Sequence, residues 1–205
     1  MIYAYKENSR WVFPVSMRSR FNGVGGWHTL TDEQRAEYGW YLFEPTNYSY
    51  NPNTQNRFGP FNVRLEGIIL KADYQVVDKS VEDLRQAMIE RLAQVRYDRE
   101  VIGVYVNGIY ITTGDRSKLL INGKVNRALI SQQMGDTNWS CQWKIGSNTY
   151  INLNAQQIIG IGMAIDSYVQ ACFDNEATLA DQIANSNDPL SIDLDSGWPD
   201  INITM

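Results

Sequence analysis

From Asn154 onward, Ile158, Ile161, Ile165, Tyr168, Cys172, Leu179 and Ile183 recur at three- and four-residue steps, with Glu176 the one break. That period places them on one face of a helix and is hard to obtain from a strand, whose faces alternate every residue. Asn154 stands where a cap belongs, because its short side-chain oxygen can accept from the first-turn backbone N–H groups. Gln157, three residues on, completes a capping box. Just before it, Thr149, Ile151 and Leu153 alternate with Tyr150 and Asn152, so a strand feeds the helix. A long one-faced helix must be covered by other elements, and the rest of the chain is read for what covers it.

Upstream, Ser80 opens a helix to about Asp98 with Val81, Leu84, Met88, Leu92 and Val95 as its apolar stripe. Val104 to Ile111 (VYVNGIYI) is a hairpin, with Asn107 and Gly108 suited to a turn in which both residues take positive φ. Asp115 opens another helix to about Met134, carrying Leu119, Ile121, Val125, Ala128 and Leu129. Cys141, Trp143 and Ile145 then alternate on a strand that turns at Gly146 to Asn148. Residues 79–186 thus read α-β-β-α-β-β-α, and the fold class is α+β.

Residues 1–78 hold 15 of the 24 aromatic residues and carry mostly strand and turn signals, which predicts a β-type domain. Trp11 to Pro14 reads as an edge strand, since proline cannot donate to a ladder. Gly23 to Gly26 reads as a loop. Thr31 to Gln34 is a capping box for a short helix that Gly39 closes. Trp40 to Glu44 is a strand and Asn51 to Gln55 a turn. Phe61 to Leu65 and Ile68 to Val77 form a hairpin turning at Glu66 and Gly67. The aromatics serve either as the core of a small β domain or as a sugar-stacking platform.

Residues 187–205 lack a helical period and contain Pro189 and Pro199, so an extended tail is expected. Leu190, Ile192 and Leu194 alternate with Ser191, Asp193 and Asp195, and Trp198 is held between Gly197 and Pro199. Such a segment either stays disordered, as chain ends often are, or docks on a partner or on its own domain, and the docking reading makes Leu190, Ile192, Leu194 and Trp198 the candidate partner-binding residues.

The candidate chemistry is thin. The single histidine, His28, has no partner motif, and with two cysteines 31 residues apart a zinc site lacks ligands, so no metal is expected. Cys141 and Cys172 read as buried apolar residues, with a disulfide between them the alternative that nothing in the sequence demands. Gly160 and Gly162 resemble half of a dinucleotide fingerprint but fall inside a helix, where they form no phosphate cradle; no cofactor is expected. They permit close helix approach, within the chain or across a subunit contact. No catalytic residue is assigned and no enzyme is expected. The net charge of −5 argues against nucleic acid as partner. The charge is uneven: the last 61 residues carry eight carboxylates and no Lys or Arg, the first 144 carry 18 basic and 15 acidic groups. The acidic end is either a solvated face or a patch that meets a basic partner. The absence of a long apolar run argues against a membrane span, and the polar amino terminus against export by a secretory signal.

Several pieces in order resemble an uncharacterised family of tailed-bacteriophage proteins associated with tail, baseplate and tail-fibre genes. They are Leu119 to Gly123 (LLING), Asn138 to Lys144 (NWSCQWK), Ile151 to Ile159 (INLNAQQII), Val169 to Leu179 (VQACFDNEATL) and Ser196 to Pro199 (SGWP). Gly26 to Arg35 (GWHTLTDEQR), Gly39 to Tyr41 and Tyr74 to Asp78 are similar to the leader such proteins carry. The resemblance implies a structural component of a phage tail, near the baseplate or fibre attachment. It would bind other tail proteins, in multiple copies within a symmetric assembly, and reside in the virion after synthesis in the host cytoplasm. A tail-fibre assembly chaperone and a glycan-binding module built on the N-terminal aromatics are the alternatives.

Overall fold

Strand signals dominate the first eighty residues, and a mixed sheet results. In the computed structural model, which describes all residues except 17–19, 22, 23, 147 and 205, β1 (Tyr3–Glu7) pairs antiparallel with β2 (Arg10–Val15). The turn between them uses Asn8 and Ser9, both at positive φ, the geometry a two-residue hairpin loop needs. β3 (Arg20–Phe21) and β4 (Val24–Gly25) form a separate short ribbon. Val24 and Gly25, expected in a loop, are therefore in a strand, while Gly23 lies outside the described residues. Gly26, at φ 77, leads into a single 3-10 turn, Trp27–Thr29. α1 (Asp32–Glu37) follows, its capping box formed by Gln34 N donating to Thr31 Oγ1 at 3.3 Å and Thr31 N to Gln34 Oε1 at 2.8 Å. Gly39 at φ 82 ends it.

β5 (Trp40–Thr46), β6 (Gln55–Glu66) and β7 (Ile69–Asp78) complete a sheet in the order β2-β1-β5-β7-β6. β5 runs parallel to β7, and β6 and β7 form a hairpin. The hairpin loop is Gly67 and Ile68, one residue later than expected, because Glu66 still pairs with Ile69 and the positive φ of 62 falls on Gly67. β2 is an edge strand, as Pro14 requires. Consecutive residues Tyr3, Ala4 and Tyr5 are all buried, so both faces of the sheet are covered at β1, whereas β6 at the far edge is mostly exposed. Tyr3 and Tyr5 cluster with Trp27 and Trp40, and Ala4 with Phe43, Leu70, Ala72 and Tyr74. The aromatics named here build the core.

The chain divides into two compact units, Met1–Ser80 and Val81–Met205. The second opens with α2 (Val81–Val101), of which Met88 and Leu92 are buried and Val81 is exposed. β8 (Val104–Val106) and β9 (Ile109–Ile111) are joined by Asn107 at φ 48 and Gly108 at φ 78, the expected turn. α3 (Asp115–Gln133) leads to β10 (Ser140–Lys144), which pairs antiparallel with β11 (Tyr150–Asn154). α4 (Ala155–Asn185) is capped by Asn154, whose Oδ1 accepts from Gln157 N at 2.9 Å while Gln157 Oε1 accepts from Asn154 N at 3.0 Å.

All seven stripe residues of α4 are buried. Its first half packs with β8, β9, β10, β11 and α3, its second half with Met88 and Leu92 of α2. Glu176 marks the change between these two clusters, and Arg96 of α2 reaches it at 3.4 Å. The α3 stripe differs from expectation. Ile121, Val125 and Ala128 face inward, but Leu119 and Leu129 do not. Counted at about 100° per residue, Leu119 lies on the side opposite Ala128 and Leu129 well off it.

The last residues are not an extended arm. Pro189–Ser191 is a 3-10 turn, so Leu190 and Ile192 do not alternate as on a strand. After Gly197, β12 (Asn202–Ile203) joins the β8–β9 hairpin, parallel to β8, through Tyr105 N to Ile201 O and Asn107 N to Ile203 O.

Candidate functional site

The residues expected to bind a partner are placed largely against their own unit. Leu194 is only 6% exposed, among Met88, Leu92, Leu179 and Ile183. Trp198 is half-buried between the two clusters of the unit and donates from Nε1 to Leu194 O at 2.8 Å. Ile192 is half-buried beside it, and Leu190 faces solvent. The segment is tied down by Asn175 Nδ2 to Ser196 O at 3.0 Å and by the Arg99–Asp195 ion pair at 3.0 Å. A Cβ on Gly197, which has φ 77, would come within 2.4 Å of Asn175 Oδ1, so this position requires glycine.

Where this segment passes α4 it leaves a groove of about 500 Å³. One wall is the α4 face carrying Gly160, Met163, Ala164, Ser167 and Ala171; the other is Pro199, Asp200 and Ile203. The lining is small and apolar, and Met163 stands in it 67% exposed. Asp200 accepts from both the backbone and side-chain nitrogens of Asn202, at 2.9 and 3.0 Å. Those bonds, the backbone one foremost, hold its carboxyl below the usual range and occupy an N–H of the β12 edge.

The two helix glycines divide the work. A Cβ on Gly162 would meet Val125 Cγ2 at 2.7 Å, so this glycine lets α3 close on α4. Gly160 instead lines the groove.

A second surface is the outer side of α3. Leu119 is 73% exposed, Ile130 46% and Met134 80%, with Leu120 and Leu129 at their flanks. Scattered exposed apolar residues need no explanation, but these share one helix face, with Gly123, Asn126 and Arg127 exposed between Leu119 and Ile130.

A polar centre bridges α2 and α3. Glu100 is buried and forms ion pairs with both Arg96 and Lys118. Thr113, also buried, donates to Glu100 O at 2.6 Å and accepts from Gly103 N at 3.0 Å. Tyr168 donates to Arg99 O at 2.8 Å, and burial, with Cys172 beside it, pushes its hydroxyl up to about 12. Burial likewise raises the Cys172 thiol, which disfavours the thiolate a nucleophile needs. Burial also raises Cys141, and both cysteines are free. These arrangements lock helices together; they do not activate a reacting group.

His28 is exposed on the 3-10 turn. Among the described residues no group of three or more His, Cys, Asp or Glu is placed to hold a metal ion, and no helix is long and apolar enough to cross a membrane. The candidate surfaces, the groove and the outer face of α3, were not found from sequence. The groove carried a signal: Gly160, Ala164, Ser167 and Ala171 repeat at steps of four, three and four, the period of one helix face.

Residues 83–196 match a protein family described as a domain of unknown function (DUF4376). No curated protein and no solved structure matches the chain.

Proposed function

The chain belongs to the DUF4376 family, an uncharacterised one, and from the surface of that domain we propose that it acts by binding other proteins, as a structural component of a bacteriophage tail. The observation that carries the reading is the outer face of α3, where Leu119, Ile130 and Met134 project away from the core. Large apolar groups held in water along a rigid helix gain most when another protein covers them. The placement in a tail rests on the resemblance of the segments quoted above to tail, baseplate and fibre-associated proteins. Its partners are then other tail proteins, and its residence is the virion.

Mass spectrometry of density-purified particles tests the placement. The protein is expected at a fixed ratio to the fibre or baseplate proteins. Particles that contain fibres but not this chain would move it to the assembly-chaperone reading. Ile130→Asp tests the surface, because it changes only an exposed position and is expected to lower incorporation without unfolding the chain.

A further inference from the structure

We propose that the groove on α4 takes the outer face of α3 from a second copy of this chain, so that copies join head to tail. This rests on the reading of α3 as a contact face and names what covers it.

The two surfaces lie on opposite sides of the α3–α4 pair. Gly162, Ile165 and Val169 of α4 line the seam with Ile121 of α3. Gly160, Ala164, Ser167 and Ala171 fall roughly half a turn away from Gly162 and Val169. The outward residues of α3 likewise face away from Ile121, Val125 and Ala128. No copy can therefore fill its own groove with its own α3 face, and a contact between the two unlike faces propagates from copy to copy.

Charge selects the unlike pairing. From Arg116 to Gly135 the chain has no carboxylate. Arg116, Lys124 and Arg127 are exposed there, and among the described residues none of them forms an ion pair. The groove side is acidic: the same face of α4 continues to Asp174 and Asp181, Asp200 stands on the opposite wall, and no Lys or Arg follows Lys144. Joining α3 to α3, or groove to groove, would bring like charges together; joining α3 to the groove brings opposite ones together.

Shape agrees. Leu119 to Met134 spans about 22 Å of helix and Gly160 to Ala171 about 16 Å, at 1.5 Å per residue. Gly123 adds an independent sign. It sits in the interior of α3, exposed among the outward residues, and a Cβ there meets nothing within 4 Å in its own chain. An interior glycine weakens a helix relative to alanine, and nothing within the unit needs this one. A closely approaching second backbone does.

The test uses the full chain and sedimentation over a range of concentrations at low and high salt. The wild type is expected to assemble with concentration and to come apart as salt rises. Ile130→Asp spoils the α3 face and leaves the groove; Met163→Arg spoils the groove and leaves α3. Each alone is expected to weaken association at least a hundredfold. Mixed, they are expected to form a one-to-one dimer, because one sound face of each kind remains. Gly123→Ala is expected to weaken wild-type assembly about tenfold while the helix it lies in becomes more stable. A wild type that stays monomeric overturns the proposal, as does assembly by Met163→Arg alone or a mixture that stays monomeric. If Ile130→Asp nevertheless fails to enter tails, the contact face stands and only its occupant is wrong.

Discussion

Gly162 is where the α3–α4 crossing is decided, and it permits a prediction whose sign depends on one distance. Replacing an interior helix glycine by alanine gains about 1 kcal/mol when the new methyl has room. At Gly162 it does not, because the ideal Cβ lies 2.7 Å from Val125 Cγ2 and 3.8 Å from Ile121 Cγ2. Val125 is β-branched and strongly prefers one rotamer in a helix, so it cannot easily swing aside. Turning it off its rotamer costs about 0.5–1.5 kcal/mol, and overpacking generally about 1–3 kcal/mol. Gly162→Ala should therefore change stability by between about zero and a 2 kcal/mol loss, the helix gain being offset or exceeded. In a Val125→Ala background the obstructing methyls are gone, and the same substitution should stabilise by about 1 kcal/mol. The coupling between the two sites is then about 1–3 kcal/mol, within the range of side chains in contact. Gly123→Ala, with nothing within 4 Å, is the internal control and should stabilise by about 1 kcal/mol in either background. Urea denaturation followed by the helical circular-dichroism signal reads the second unit, which holds α2, α3 and α4. If Gly162→Ala stabilises the parent as much as Gly123→Ala does, the helices do not cross closely at Gly162 and the argument fails.

Glu100→Gln removes the charge that Arg96 and Lys118 share. It should cost about 2–3 kcal/mol, less than the 3–5 typical of a fully buried pair because both cations have a partly exposed side chain that can reach water; an unchanged urea midpoint would show that the centre holds nothing together. Trp198→Ala empties the space between the two clusters and leaves Leu194 O without its donor, and should cost about 2–3 kcal/mol; hydrogen exchange at the β12–β8 ladder should rise with it, and unaltered exchange there would contradict the tethering role. In the first unit, the Thr46 hydroxyl and the Asn62 amide hold Asp73 below the usual carboxylate range, and Lys71 and Arg64 do the same for Glu66. A folded-state carboxyl that is lowered contributes stability above its ordinary range and loses it as pH falls through the lowered value. Asp73→Asn should therefore weaken the unit at neutral pH and flatten its acid limb, and a variant as acid-labile as the parent would refute the assignment.

The long helix was legible because its causes are local. The period from Ile158 to Ile183, the Asn154 and Gln157 box and the Thr31 and Gln34 box each depend on residues within one or two turns. The Asn107 and Gly108 turn was legible for the same reason, since both residues take positive φ there. So the α+β class and the burial of both cysteines could be read from the chain alone. The direction of α3 could not. Leu119, Ile121, Val125 and Leu129 are all apolar, and only the crossing at Gly162 selects Val125 and Ile121 for the seam and turns Leu119 to solvent. The final segment is the same case: its alternating apolar residues are equally compatible with a strand, but Leu194 and Trp198 find space between α2 and α4 that exists only once those helices have packed. The groove beside Gly160 is what remains where that segment does not quite cover α4. Local hydrogen bonding and period are set by near neighbours in the chain. Which apolar face is covered, and which is left open, depends on residues brought together from more than thirty positions away in Gly162 and Val125 and nearly a hundred in Arg99 and Asp195.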